Sequence, residues 1–446
     1  MSGYGAPWAA GGYTATRPRL RGTHRCDVAV IGAGLTGLST AVELLELDPD
    51  LRVITVEADH VAAGASGRGT GLLGPRVGPP LSVARRRYGD GVARASYLWS
   101  VSAVQHVLDL VRRHRISCDL VPGTQLVVAS DEEAAEDQRR EADAARVLGL
   151  PVSLVEQGAL PAVAARYVSG LRYASAATLD PAALAEQLAR IGEQRGLTIY
   201  ERSQVRGIRR GLLNRVVTDD GEIVADHVVV AVNAFGAALG APAGVVGLRV
   251  QAGVTQKLSD EAVAALDGLR TEPLIGHGEL SPYFRLIPDG RIVVGGGAVE
   301  RGPFGSIAPA PGKLEAAVRA LSPTLADVEI ESSWAGPIAM TRDGLPVVGH
   351  HPEDPWLHHA GGCNGHGLAV SVCNGAHLAR WIVDGDEDDL SVALPWVRPK
   401  APWVPRGRLM DRVLDRYLAH LTAAAGQPYA PIQGRDAEPA RRGTHV

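Results

Sequence analysis

Cysteine is scarce: Cys26, Cys118, Cys363 and Cys373 stand far apart in 446 residues, with no CxxC pair. That spacing argues against a disulfide framework, a zinc site or a dithiol redox centre. An excess of one charge is missing too, since 45 Lys and Arg against 49 Asp and Glu leave a net charge of −4. Neither nucleic acid nor an anionic membrane is expected as a partner of such a chain. No apolar run reaches the ~18 residues that suggest a membrane-spanning helix. Met1 is followed by Gly, Pro, Trp and Tyr rather than by a basic region and an apolar run, so no secretory signal is read and the cytoplasm is the expected location.

Glycine, by contrast, is abundant at 53 residues, gathered in short clusters without a repeat. Several tight backbone turns are expected, and neither a collagen nor a low-complexity chain fits. The length allows two domains. Residues 1–24 read as an extended arm that packs on the body through Trp8, and 427–446 as a mobile polar tail.

Between these ends the clearest unit is β-α-β. Val28–Ile31 is a short buried strand, and Leu35–Leu47 is a helix with Leu38, Val42 and Leu45 on one face. Asp48-Pro49 stops that helix, and Leu51–Val56 is the second strand. Ser130 and Glu133 read as a capping box for a helix ending near Gly149. Asp180-Pro181 opens another helix, which Gly196 follows. Val216–Thr218 and Ile223–Ala225 read as a hairpin, leading to a buried strand His227–Val232. From about 245 to 297 the texture changes to short strands punctuated by Gly and Pro, as in an antiparallel sheet.

Gly32-Ala33-Gly34-Leu35-Thr36-Gly37 follows the first strand directly and opens the helix. Such a turn brings a pyrophosphate close to the backbone and to a helix N-terminus, where free N–H groups favour negative charge. Glu57 ends the second strand, where a carboxylate accepts hydrogen bonds from ribose hydroxyls. That acid disfavours a 2′-phosphate, so NADP fits less well than FAD or NAD. The fingerprint alone does not choose between those two.

The stretch DVAVIGAGLTGL (27–38), followed after Glu57-Ala58 by Gly64-Ala-Ser66-Gly67-Arg68-Gly69-Thr70-Gly71, resembles the D-amino-acid oxidase superfamily of FAD enzymes. Within it the chain is most similar to the branch containing gamma-glutamylputrescine oxidoreductase and the glycine and sarcosine oxidases. Ser203–Val205, Tyr283–Arg285 through Asp289–Arg291 to Gly297, and Gly362–Leu368 extend the likeness from about residue 6 to about 425.

The resemblance implies an α/β chain, α+β overall, in which a Rossmann-like FAD-binding domain (25–85, 150–235, 335–385) interleaves with an antiparallel-sheet substrate domain (86–149, 236–334). A C-terminal helical extension (386–426) would follow. It implies FAD contacts from Gly32, Gly34, Leu35, Thr36, Gly37, Glu57, Ala58, from Ser66 through Gly71, and from Val205, Asn233, Gly365, His366, Gly367 and Leu368. It also implies oxidation of a small-molecule amine or amino acid by hydride transfer to flavin N5, giving an imine that water hydrolyses. Oxygen or another acceptor then takes the electrons.

The candidates for the substrate and flavin environment are Arg68, Tyr283, Arg285, Arg291, His366 and Cys363. An arginine can hold a substrate carboxylate bidentately, although Arg285 and Arg291 each read more readily as strand arginines in ordinary ion pairs. His277 is a weaker candidate. His366 either adds positive charge near the flavin or is a hydrogen-bonded loop histidine. Cys363 stands where relatives carry an aromatic residue, either opening the pocket or placing a thiol near the flavin. Where sarcosine oxidase relatives use a lysine for oxygen reactivity this chain has Val293, and no cysteine stands near Gly336, so FAD is expected to be non-covalent and oxygen use is in doubt. Trp334 and the Arg342–Pro346 turn are expected to be structural. A dehydrogenase of a hydroxy-acid-like substrate and a non-catalytic flavin-binding subunit are the competing readings. An NAD-dependent dehydrogenase would leave the 64–71 and 362–368 segments unexplained.

Overall fold

The computed structural model describes residues 6–9, 16–239, 244–278, 280–303, 311–385, 394–404 and 408–424. The 427–446 tail lies outside them. In chain order the first half runs β1 (Gly22–Ile31), α1 (Leu35–Leu47), β2 (Val53–Val56), β3 (Leu72–Leu73), α2 (Leu81–His114), β4 (Val121–Ala129), α3 (Glu132–Leu148), β5 (Val152–Glu156), β6 (Ser169–Thr178) and α4 (Pro181–Gln194). Then follow β7 (Thr198–Tyr200), β8 (Gly207–Arg209), β9 (Asn214–Val217), β10 (Gly221–Val230), β11 (Val245–Thr255), α5 (Asp260–Ala265), β12 (Leu274–Gly276), β13 (Tyr283–Leu286) and β14 (Ile292–Arg301). The chain closes with α6 (Pro311–Arg319), β15 (Ile330–Thr341), β16 (Val347–His351), β17 (Asp354–Gly361), α7 (Gly367–Asp384) and α8 (Arg408–Ala424).

Two sheets result. In the first, β17, β10, β1, β2 and β7 lie parallel in that order, with β16 antiparallel at one edge. Side chains alternate across β1, so Val28 and Val30 face the core under α1, α4 and α7 while Ala29 and Ile31 enter the opposite core beside β9. Burial on both faces explains why these strands read as apolar runs rather than as alternation. Asp180 caps α4 by accepting from the amides of Ala182 and Ala183, as its Asp-Pro start predicts. The 130s helix differs by one position: Asp131, not Ser130, is the N-cap, accepting from the Ala134 amide. The expected hairpin and following strand differ as well, since Ile223–Ala225 and His227–Val230 are one continuous strand, β10, paired with β9 on one side and β1 on the other.

The second sheet runs β15-β11-β14-β13-β12-β4-β6-β3, with β5 on β6, and is mainly antiparallel. Its strand pairings cut across the expected division of the chain at three places. The expected FAD-binding segment 150–235 includes β5 and β6, yet β6 pairs here with β5 on one side and β4 on the other. Leu72–Leu73 also crosses over, pairing with β6, and β15, which includes 335–341, lies wholly in this sheet. Conversely, the later part of α2, expected with the substrate part, puts Ala103, Val107 and Leu110 into the core of the first sheet. Single-strand apolar patterns identify a strand but not its pairing partner, which long-range packing decides. Among the described residues no helix is long and apolar enough to cross a membrane.

Candidate active site

The glycine turn sits where the backbone of β1 gives way to α1. Gly32 has φ +104°, and a Cβ on it would lie 2.8 Å from the Ala231 carbonyl. At Gly37 a Cβ would lie 2.0 Å from the Gly32 carbonyl, so α1 can leave the strand only with glycine there. Gly34 is the N-cap of α1 and, lacking a side chain, supplies no cap of its own. Leu35 and Thr36 begin the helix, and the N-terminus of a helix favours negative charge.

Glu57 follows β2, its carboxylate accepting from the amides of Ala33 (2.9 Å) and Asp59 (3.0 Å). Desolvation raises its pKa, and the hydrogen bonds from the backbone of Ala33, Asp59 and Ala58 pull it back down. Ser203 donates its amide to the Glu57 carbonyl (2.8 Å), which brings the 203–205 segment alongside. Val205 itself is buried in the apolar core on that side. These are the parts that an adenine dinucleotide needs: a helix N-terminus opened by glycine, glycines where a Cβ would collide, and a desolvated acid beside them. FAD fits this cradle.

The 64–71 loop is tied to the cradle and to the second sheet at once. Ser66 Oγ accepts from the Leu35 amide at 2.9 Å. Gly67 donates its amide to Ala62, and Gly69 donates to Ala65. Thr70 hydrogen-bonds the Tyr283 side chain. Arg68 is exposed and donates to the Ala335 carbonyl at 3.3 Å. Trp334, on β15, donates its indole N–H to the Arg68 carbonyl at 2.9 Å.

On β13, Phe284 and Leu286 turn into the core of the second sheet, which sends Tyr283 and Arg285 to the other face. Arg285 is 4% exposed. Its guanidinium lies against Gly71, where a Cβ would be 2.8 Å away, and 5.1 Å from the Trp8 ring centre. Burial pulls its pKa down to about 10, and the charges of Asp180 and Asp119 offset part of that loss. Among the described residues nothing accepts from its Nε. Among the described residues no carboxylate stands within ion-pair distance of this arginine.

Arg291 bonds Asp289 and Glu331 (3.1 Å to the latter) beside the β13–β14 turn, which is the ordinary ion-pair reading of this arginine. His277 likewise pairs with Asp137 at 3.5 Å on the protein surface.

The Gly365–Leu368 turn opens α7, again without a side-chain cap among the described residues. Ser39 Oγ of α1 donates to the Val372 carbonyl of α7 at 2.7 Å, locking the two helices together near their N-termini. His366 is exposed at its surface yet surrounded by protein at longer range. Desolvation, with Arg76 nearby, pushes its pKa down to about 3, and its Nδ1 lies 3.0 Å from the Asn364 carbonyl. A neutral, hydrogen-bonded loop histidine is favoured over a positive charge.

Asn233 accepts from the Gly362 amide (3.0 Å) and donates to Cys363 Sγ (3.6 Å), so both hold the turn in place. Burial raises the Cys363 thiol pKa, which keeps it protonated. Asp343 of the 342–346 turn pairs with Arg398, a structural role.

Sequence reasoning missed Asn364, whose Oδ1 accepts from the Thr341 amide at 2.8 Å, and the depth to which the amino-terminal arm enters. Trp8 donates its indole N–H to the Gly67 carbonyl at 2.9 Å and meets Trp334 edge-on at 6.1 Å between ring centres. Trp8 was legible as an anchor, but its target was not.

The family model for FAD dependent oxidoreductases matches residues 27–381. Among curated proteins, gamma-glutamylputrescine oxidoreductase of Escherichia coli is 28% identical over 375 residues, covering 81% of this chain and 84% of that one. Glycine oxidase of Geobacillus kaustophilus is 29% identical over 381 residues, covering 80% and 93%. The crystal structure of glycine oxidase from Geobacillus kaustophilus superposes with a TM-score of 0.71 at 24% identity, over 83% of this chain and 97% of that one. L-Proline dehydrogenase from P. horikoshii superposes at 0.67 and 19%, over 83% and 96%. The fold is theirs, and the chain belongs to the DAO family of FAD-dependent oxidoreductases.

Proposed function

We propose that the chain oxidises a small amine or amino acid at its C–N bond, releasing an imine that water hydrolyses. FAD, when bound, supplies the electron sink that takes the hydride from the carbon bearing nitrogen. One observation carries this reading: Tyr283, Arg285 and Trp334 occupy the face of the second sheet that meets the 64–71 loop. The names of two relatives, which act on gamma-glutamylputrescine and glycine, support an amine.

The work left to the protein is binding, orientation and exclusion of water. Arg285, buried and without an acceptor at Nε among the described residues, suits an anionic group on the substrate. Tyr283, whose pKa burial raises, keeps its phenolic proton and offers a neutral polar contact. FAD is held without a covalent bond in this reading. Gly336 stands against the Arg68 side chain and offers no thiol, while the Cys363 thiol is protonated and bonded to Asn233.

Oxygen is the less favoured acceptor, because Val293 is 1% exposed in an apolar cluster with Ala252, Val254 and Trp334. The test is a screen of amines, N-methyl amino acids and amino acids against the FAD-loaded protein under argon, followed by air. Loss of the yellow colour with one such class, and slow return in air, is expected. No bleaching by any nitrogen compound would refute the reading.

A further inference from the structure

The amino-terminal arm touches the cofactor-binding segment at two separated points. Arg17, 9% exposed, is gripped by three carboxylates, Glu186, Glu193 and Glu201. Glu201 is itself buried and accepts from the Val61 amide at 2.9 Å, so this anchor is joined to the backbone just ahead of the 64–71 loop. Ahead of the anchor in sequence, Ala6 is buried and Trp8 joins a small apolar cluster with Trp334, Val293 and Ile287.

There two indoles in mutual contact do the same thing. Trp8 donates to the carbonyl of Gly67 and Trp334 to the carbonyl of Arg68, each at 2.9 Å. Consecutive peptide carbonyls of one loop are thus held by two edge-packed tryptophans, one from the arm and one from β15. The N–H groups of the same two planar peptide units, those of Arg68 and Gly69, both donate to the Ala65 carbonyl, so the tryptophans and this turn fix one stretch of backbone from both of its polar edges. The same loop contacts the helix cradle through Ser66.

We propose that Trp8 and Trp334 form a clamp that sets the 64–71 loop for FAD, making the arm part of the cofactor site and Trp8 a positioning residue. The inference rests on FAD binding alone and is independent of which amine is oxidised. The clamp acts through the indole N–H, and the Trp8 ring adds a second contribution by covering the Arg285 guanidinium.

The test separates those two parts. Trp8→Phe keeps a ring over Arg285 and removes the donor, Trp8→Leu removes both, Trp334→Phe removes the other donor, and Trp403→Phe alters a tryptophan that is 69% exposed elsewhere. Two quantities are read on each: the FAD dissociation constant by titration of the apoprotein, and amide hydrogen exchange of the peptide spanning 62–71. Trp8→Phe and Trp334→Phe are each expected to weaken FAD about 5-fold, the size of one net hydrogen bond, and to speed exchange in that peptide. Trp8→Leu is expected to weaken FAD further, and Trp403→Phe to change neither quantity. Unaltered FAD affinity and loop exchange in Trp8→Phe would overturn the clamp. An effect confined to Trp8→Leu would overturn it too, since packing and not the N–H would then be the cause.

Discussion

At the scale of single residues, the site contrasts groups whose role follows from local chemistry with groups whose role follows from burial. Glu57 belongs to the first kind. A carboxylate ending the strand after a glycine turn is expected at the ribose, and both its oxygens are found oriented by backbone amides. Glu57→Gln places an amide NH2 against one of those donors. It is expected to weaken FAD at least about 10-fold, the cost of an unmade buried hydrogen bond, as measured by reconstitution of the apoprotein. Arg285 belongs to the second kind. It reads in the sequence, like Arg291 six residues on, as a strand arginine in an ordinary ion pair, and the sheet's geometry buries one while leaving the other in an ion pair with Glu331. Arg285→Met is therefore expected to raise the KM of an anionic amine by about 100-fold, and Arg291→Met to leave it within about 2-fold, in steady-state assays.

At the scale of elements, what was legible depended on whether the signal was local. The first strand, α1, the Asp-Pro start of α4 and the end of α3 at Gly149 could all be read, because turns, caps and helix faces are set by neighbours in sequence. The placement of β5 and β6 could not, because β6 pairs both with β5 and with β4, which lies across the intervening α3, and an apolar strand pattern does not name its partner. The same local logic predicts opposite outcomes for two helical glycines. Gly37→Ala drives a Cβ into the Gly32 carbonyl and is expected to cost about 3 kcal/mol and the bound flavin. Gly91→Ala, in α2 with open space around it, is expected to gain about 0.5 kcal/mol. Thermal melts with and without FAD check both.

At the scale of the whole molecule, the two sheets are joined by the residues that also serve the site: the 64–71 loop, the arm and the turn before α7. A separate feature governs acid tolerance. His358 and His359 on β17 are buried, and burial, reinforced by the other histidines around them, pulls their pKa values down to about 3 and about 4. The unfolded chain takes up those protons near the ordinary value of 6.5, before the folded chain does. Stability must therefore fall as pH drops below 6.5 and keep falling toward 4. His358→Asn is expected to flatten part of that slope in melts recorded between those limits.

The measurement that bears most directly on the proposed chemistry uses a matched pair of compounds, an amine found in the screen and the analogue carrying hydroxyl in place of nitrogen. Each is added to the FAD-loaded protein under argon while the flavin absorbance is followed. The amine is predicted to bleach the flavin and to yield the carbonyl compound in equal amount, with the hydroxy analogue inert. Bleaching by the hydroxy compound while every amine leaves the flavin oxidised would contradict the account.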